Sequence, residues 1–443
     1  MLGKCTHFFV INISTILRSY SMQPIHLIDE SKKHEKYCIL PFNAIQITPF
    51  QITPCCKLQY MQPVDGEWGN AINKYLNNPK LRALQNDFLT GQVKNPCNRC
   101  FTSAGALYPG AKLEEFAGLV NESGTNPIIY DTTLQLLNVQ LNSTCNLQCR
   151  HCTPQSSSSL TKIWDADFVA VTGISKTPSM SNDDALVDEL ISNPAFNNVQ
   201  SVLLSGGEPL MNIKLKDLVI AFQKRGVKKI GIVTNAATDP FGFFHFFDSL
   251  DSVRKAVTVS VDGDRTIHAY YRHQLNIDEF EKNCAMLKES KTIKKMVLMS
   301  VSALNIFNIP SAMSYCYALF DDDFYFNISI VENTYLNIEV LPISDREQLL
   351  AFYDNAIENF EFSHKRNGAL LKQHLKKIKA YIVRSLTRPH NVQNFKNFIN
   401  FIKLTDRRYN TSIDAVCPTL ASIITSYENL HANEYDMTQQ THG

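Results

Sequence analysis

An excess of charge is what the sequence most plainly lacks. Its 443 residues carry 43 Lys and Arg against 42 Asp and Glu, a formal net charge of +1. No global field draws such a chain to nucleic acid or to an acidic partner. Disulfide density is missing as well. Twelve cysteines in this length fall far short of a disulfide-stapled scaffold. They group at 55–56, 97–100 and 145–152, which favours metal ligation over scattered bridges. That usage suits a reducing cytoplasm. There is no internal repeat, no long low-complexity tract and no apolar run of bilayer-spanning length, so no membrane association is expected. The N-terminal MLGKCTHFFVINISTIL comes nearest, but Asn12 and Ser14 break it. It passes for a weak signal peptide without a clear small-residue cleavage pattern. A true start at Met22 accounts for it at least as well, and residues 1–35 are set apart as an uncertain leader. The Asn142-Ser143-Thr144 sequon is a match of letters only, because it abuts the central cysteines.

What is present is the composition of a globular protein. Hydrophobic residues make up 44% and charged residues 19%, enough for a sizeable core and against bulk disorder. The length allows one large barrel plus an extension. Residues 36–56 alternate apolar and polar with Pro punctuation and are predicted as strand and turn. Residues 68–94 are predicted helical. From 134 onward strands and helices alternate: strands at 134–141, 198–207, 228–237, 253–263, 294–303 and 336–342, helices at 214–226, 277–290 and 309–322. Ser156–Ser159 is predicted as a polar loop. Apolar strands alternating with helices give a parallel sheet covered by helices. The fold class is therefore α/β, a partial (β/α)6 TIM-like barrel over 131–342. A cysteine-rich extension precedes it at 36–130, and a helical region follows at 343–443. The basic run KQHLKKIKAYIVR (372–384) is predicted as a solvated helix face rather than an RNA contact.

The chemistry centres on CNLQCRHC, Cys145 to Cys152, directly after the strand at 134–141. Strand C-termini are where parallel α/β folds place their sites. Structural zinc takes four closed protein ligands, and protein-bound iron–sulfur clusters usually take four cysteines. Three thiolates leave one position open. Spacing alone leaves cluster and zinc undecided. SGGEP (205–209) follows the next strand; its glycines permit close backbone approach to a ligand. Glu208 adds a carboxylate suited to an ammonium group.

The series CNLQCRHC, SGGEPLMN, IVTNAA and VSVDG, in this order, resembles the radical S-adenosylmethionine (radical SAM) superfamily, over residues 134–340. The resemblance implies that Cys145, Cys149 and Cys152 hold a 4Fe-4S cluster whose fourth iron takes the methionyl amine and carboxylate of S-adenosylmethionine. It places His151 near the adenine and Gly206, Gly207 and Glu208 on the methionyl amine. Asn235 and Ser260 would line the cofactor cleft. It further implies reductive cleavage to methionine and a 5′-deoxyadenosyl radical that abstracts a substrate hydrogen, fed by a one-electron reductant of flavodoxin or ferredoxin type.

The upstream string CILPF…QITPCC…NPCNRC also resembles the auxiliary-cluster segment of the twitch and SPASM subgroups, here placed before the barrel. Four or more of Cys38, Cys55, Cys56, Cys97 and Cys100 would then hold an auxiliary iron–sulfur cluster; a closed zinc site is the alternative. Phe42 stands where related sequences often have Trp. TDRRYNTSIDAVCPTL (405–420) resembles a tail motif of the same group, with Cys417 alone. Cys284 and Cys316 are expected as buried apolar thiols. Asp262 and Arg272 are the acid–base or substrate-binding candidates, within what reads as a polar loop holding Asp264, His268, Tyr271 and His273. The substrate class leans to a peptide or protein side chain, with a small sugar, nucleoside or alcohol as the alternative. A non-catalytic zinc-binding interaction protein is the competing reading.

Overall fold

The computed structural model describes residues 38–97, 134–176 and 184–439, apart from 39, 57, 59–60, 65–66 and 363. The uncertain leader, Cys5 and Cys100 lie outside the described residues.

Nine strands form one sheet. Six of them are parallel and alternate with helices: β4 (Leu136–Gln140), β6 (Ser201–Ser205), β7 (Lys229–Thr234), β8 (Arg254–Ser260), β10 (Ile293–Val301) and β11 (Tyr325–Ile330). Their Val, Ile and Leu content suits strands buried on both faces. Helices α6 (Leu215–Lys224), α7 (Phe243–Ser249), α8 (Arg265–Tyr271), α9 (Ile277–Glu289) and α10 (Ile309–Phe320) run between them. This is the expected six-unit α/β architecture. The cysteine-rich extension is continuous with it. Its β1 (Ala44–Ile47) pairs in parallel with β4, and β2 (Gln51–Thr53) and β3 (Gln62–Pro63) add antiparallel beyond.

The structure departs from expectation in three places. The helix predicted over 68–94 is two helices, α1 (Trp68–Leu76) and α2 (Pro79–Leu89). Asn78 caps the second, its side chain accepting from Lys80 N at 2.8 Å, with Pro79 in the first turn where a missing N–H costs least. The strand predicted at 336–342 is a single 3-10 turn, Ile338–Val340, capped by Asn337. The sixth parallel strand is β11, hidden behind the Asp-rich end of α10. Third, the serine run is no loop: Ser157 caps α3 (Ser158–Ile163). The next two helices are α4 (Ala166–Thr172) and α5 (Asp184–Ser192).

The C-terminal region carries five helices among its described residues: α11 (Ile343–Glu358), α12 (Gly368–Leu386), α13 (Val392–Tyr409), α14 (Ile413–Val416) and α15 (Pro418–Gln439). On α12 the basic run covers a stripe of buried Leu371, Leu375, Ile378 and Ile382, while Lys376 and Arg384 face solvent. Cys284 and Cys316 are buried on α9 and α10 as apolar thiols, and burial pushes both well above a free thiol. Among the described residues no helix is long and apolar enough to cross a membrane.

Candidate functional site

The cysteine loop leaves β4 at its C-terminal end, and α3 holds its first half. Ser157 Oγ donates to Leu147 O (2.7 Å), Ser159 Oγ donates to Cys145 O (2.6 Å), and Cys145 N donates to Ser158 Oγ (3.2 Å). The second half is held by pairing. Gln148–Cys149 forms strand β5, antiparallel to β9 (Arg272–His273). Cys145 and Cys149 are buried and Cys152 is half-buried. They share one small apolar group with Leu147, Ala237 and Leu275.

Hydrogen donors face these sulfurs. Leu147 N lies 3.5 Å from Cys145 Sγ, Asn235 Nδ2 lies 3.8 Å from the same atom, and Arg272 Nη1 lies 3.7 Å from Cys149 Sγ. Burial pushes the Cys145 thiol up to about 12. Cys149 is shifted the other way, lowered first by the hydrogen bond from Cys152 and then by Arg272. Donors aimed at sulfur suit thiolate ligands. Among the described residues, no three His, Cys, Asp or Glu converge as donors to a single metal ion do.

The glycines of SGGEP lie close against the backbone that enters the cysteine loop. Gly206 has φ +117°, and a Cβ there would lie 2.6 Å from Asn142 O. A Cβ on Gly207 would lie 2.2 Å from Thr144 O. Gly207 N and Glu208 N donate to Asn142 O (2.7 Å) and Thr144 O (2.6 Å). The segment therefore clamps the chain entering the cysteine loop. Glu208 is likewise not exposed. It is fully buried and accepts from Thr234 Oγ1 (2.7 Å), Asn235 N (2.7 Å) and Leu210 N (3.1 Å), tying the ends of β6 and β7. Burial lifts its carboxyl to about 7 against those three bonds. Asn235, fixed in this way, donates Nδ2 to Asn146 Oδ1 at 3.0 Å. Ser260 is the last residue of β8, opposite Leu298. His151 stacks on Tyr271, centroids 4.8 Å apart, with Nε2 3.7 Å from Cys152 Sγ. Burial and the nearby Arg272 charge hold its imidazole neutral.

The stretch read as a polar loop after β8 is helix α8 followed by β9. Asp264 caps α8, accepting from Thr266 N and Ile267 N. Asp262 is fully buried. It stands in ion-pair contact with Arg272 at 2.7 Å, off hydrogen-bond alignment, and its Oδ1 accepts from Ser300 N at 2.7 Å. Asp262 N donates to His268 Nδ1 at 3.1 Å, which puts the proton of neutral His268 on Nε2. Arg272 is 4% exposed and charged, paired at once with Asp262 and the Cys149 sulfur.

Residues 139–304, which contain all of these groups, match the model of the Radical SAM superfamily. This stretch is a radical SAM domain. No curated protein sequence matches it at a significant level. Among solved structures, Streptococcus suis SuiB bound to precursor peptide SuiA aligns with a TM-score of 0.37 and 15% identity, over 72% of this chain and 70% of that one. SuiB bound to S-adenosylmethionine aligns equally. Native anSMEcpe with bound AdoMet and Kp18Cys peptide aligns with a TM-score of 0.38 and 16% identity, over 52% of this chain and 62% of that one.

Two sets of residues around the radical SAM site escaped the sequence reading. One is Ser157–Ser159. The other is Arg150 with its partners Asp406, Tyr409 and Thr411 in the C-terminal helices. The only signals for it were an Arg between two cysteines and the TDRRYNTSID string. Upstream, Cys38, Cys55, Cys56 and Cys97 are each half-buried, and Cys55 and Cys97 pack against the main core.

Proposed function

We propose that Cys145, Cys149 and Cys152 ligate the 4Fe-4S cluster of this radical SAM enzyme and leave one iron open for S-adenosylmethionine. The observation that carries this reading is the set of N–H donors aimed at the sulfurs of a loop inside the radical SAM match. Held there by the three cysteines, a reduced cluster would supply the one-electron reduction of S-adenosylmethionine that starts radical chemistry on the substrate. The chain's own groups hold and shield. Burial of Cys145 and Cys149 keeps water from the sulfurs. Arg272 offsets thiolate charge, His151 offers a neutral ring beside the loop, and Gly206 with Gly207 brings the backbone of SGGEP against the loop entry. Glu208 acts by fixing Thr234 and Asn235. Asn235 and Ser260 mark the strand ends that face the cofactor.

The substrate we favour is a peptide or protein side chain, on the resemblance of the upstream cysteine segment to members that modify such substrates. Four or more of Cys38, Cys55, Cys56, Cys97 and Cys100 hold an auxiliary cluster in this reading. A flavodoxin- or ferredoxin-type protein delivers the electron. Anaerobic purification, reconstitution and assay of iron, sulfide and zinc test it. About eight irons and eight sulfides per chain support both clusters. About four, lost in Cys145→Ala, keep the enzyme and remove the auxiliary cluster. Zinc without sulfide overturns the reading. Release of 5′-deoxyadenosine with dithionite and S-adenosylmethionine tests turnover.

A further inference from the structure

The two halves of the cysteine loop are held by different parts of the chain. Serines of α3 fix Cys145–Leu147. The Cys149–Cys152 half rests on β9 and on Arg150, whose side chain has no solvent exposure and points out of the loop into the C-terminal helices. There it meets a socket at the end of α13. Arg150 Nη2 donates to Asp406 Oδ1 (2.9 Å) and Thr411 Oγ1 (2.7 Å), and Nη1 donates to Tyr270 O. The guanidinium lies over the rings of Tyr270 (3.6 Å) and Tyr409 (5.1 Å). The socket is itself rigid: Asp406 also accepts from Thr411 Oγ1 and Ile413 N, both at 2.8 Å. Tyr409 lies flat on His273, centroids 3.9 Å apart and planes 4° off parallel, so the same helix covers the strand that pairs with Cys149.

A buried guanidinium carries a large desolvation cost, and an apolar side chain fills such a space at less risk. Its pairing here constrains geometry: five N–H groups in a plane fix the backbone that carries them. We propose that Asp406, Tyr409 and Thr411 are positioning residues of the radical SAM site. Acting through Arg150, they hold the Cys149–Cys152 half of the loop, so the C-terminal region governs how firmly the cluster is retained. The inference rests on the reading that Cys145, Cys149 and Cys152 are the ligands.

The test uses the full chain, reconstituted without oxygen. The double variant Arg150→Met with Asp406→Asn removes the buried guanidinium and its half-buried carboxylate together and leaves neither charge unpaired. Thr411→Val removes one hydroxyl, with its bond from Arg150 and its bond to Asp406, keeps both charges in place, and decides the matter if the double variant does not fold. Arg408→Ala is the control. Arg408 projects from the same helix but pairs with Asp165 and Asp167 beside α4, away from the loop. Iron loss to a ferrous chelator and the electron paramagnetic resonance of the reduced cluster are measured. Expected is loss about 10- to 100-fold faster in the double variant, with an altered resonance, a smaller change of the same sign in Thr411→Val, and the Arg408→Ala protein like the parent. Parent-like retention in both socket variants overturns the inference. So does equal acceleration in Arg408→Ala, which marks general loosening of the helices. A parent chain that takes up no iron and sulfide at all strikes the ligand reading instead.

Discussion

The Arg272 guanidinium bridges Asp262 and Cys149: one nitrogen stands 2.7 Å from the carboxylate, another 3.7 Å from the sulfur. Both neighbours are buried, so the cation's field is little screened by water. A cation favours the more negative, reduced state of an adjacent cluster. Arg272→Gln is therefore expected to lower the cluster's midpoint potential, on the order of tens of millivolts, since hydrogen bonds to sulfur are one of the levers that set such potentials. Arg272→Lys keeps the charge and shifts it less. A redox titration followed by electron paramagnetic resonance reads both, and an unmoved potential in Arg272→Gln removes Arg272 from this role.

Glu208 makes stability of the metal-free protein depend on pH. Its folded carboxyl titrates near about 7, against ~4.3 for a free Glu. The folded state keeps its proton longer than the unfolded state does. The contribution of this group is thus full below ~4.3, declines as pH rises, and is gone above about 7. Melting temperature should fall across that window in the parent. Glu208→Gln should flatten the fall. The variant also turns an amide donor toward Asn235 N and leaves that N–H unpaired, a cost of about 1–3 kcal/mol. Melting curves at pH 5 and pH 7.5 decide it; equal slopes in parent and variant contradict the assignment.

The barrel strands were readable because Val, Ile and Leu runs such as SVLLS and KIGIVT have few alternative uses. The run LNIEVLP looked equally strand-like, but Asn337 caps a turn there, and short apolar runs do not distinguish the two. The three cysteines and SGGEP were visible because each is a local string. What the string binds was not. Glu208 finds Thr234 and Asn235 across two strand ends, and Arg150 finds Asp406 256 residues away in the chain. Spacing rules say nothing about such pairs. The serine run has the composition of a loop, because Ser is common in loops, yet its hydroxyls serve the backbone of the cysteine segment.

Ser157 does two jobs with one hydroxyl. It accepts from Leu160 N at the start of α3 and donates to Leu147 O inside the cysteine loop. Ser157→Ala should cost about 1–2 kcal/mol, at the upper end for a lost N-cap, because a loop carbonyl loses its donor as well. Denaturant titration of the metal-free chain measures the cost. A change under about 0.5 kcal/mol, the size typical of a surface substitution, argues that water replaces the hydroxyl at both places.

Gly207 makes the closest backbone approach in SGGEP. Its missing Cβ would sit 2.2 Å from Thr144 O, and the opposing atom is backbone, which cannot swing aside as a side chain can. Gly207→Ala must push the segment off the loop entry and break the Glu208 N to Thr144 O bond at 2.6 Å. Overpacking of this kind costs about 1–3 kcal/mol, occasionally more. The displacement falls one residue before Cys145, so cluster loading should drop together with stability. Gly173→Ala is the comparison: its φ of +70° brings backbone strain, but nothing lies within 4 Å of the added carbon. That variant should lose about 1 kcal/mol and load iron like the parent. If Gly207→Ala loads iron normally and melts with Gly173→Ala, the close approach of SGGEP to the loop has no bearing on the site.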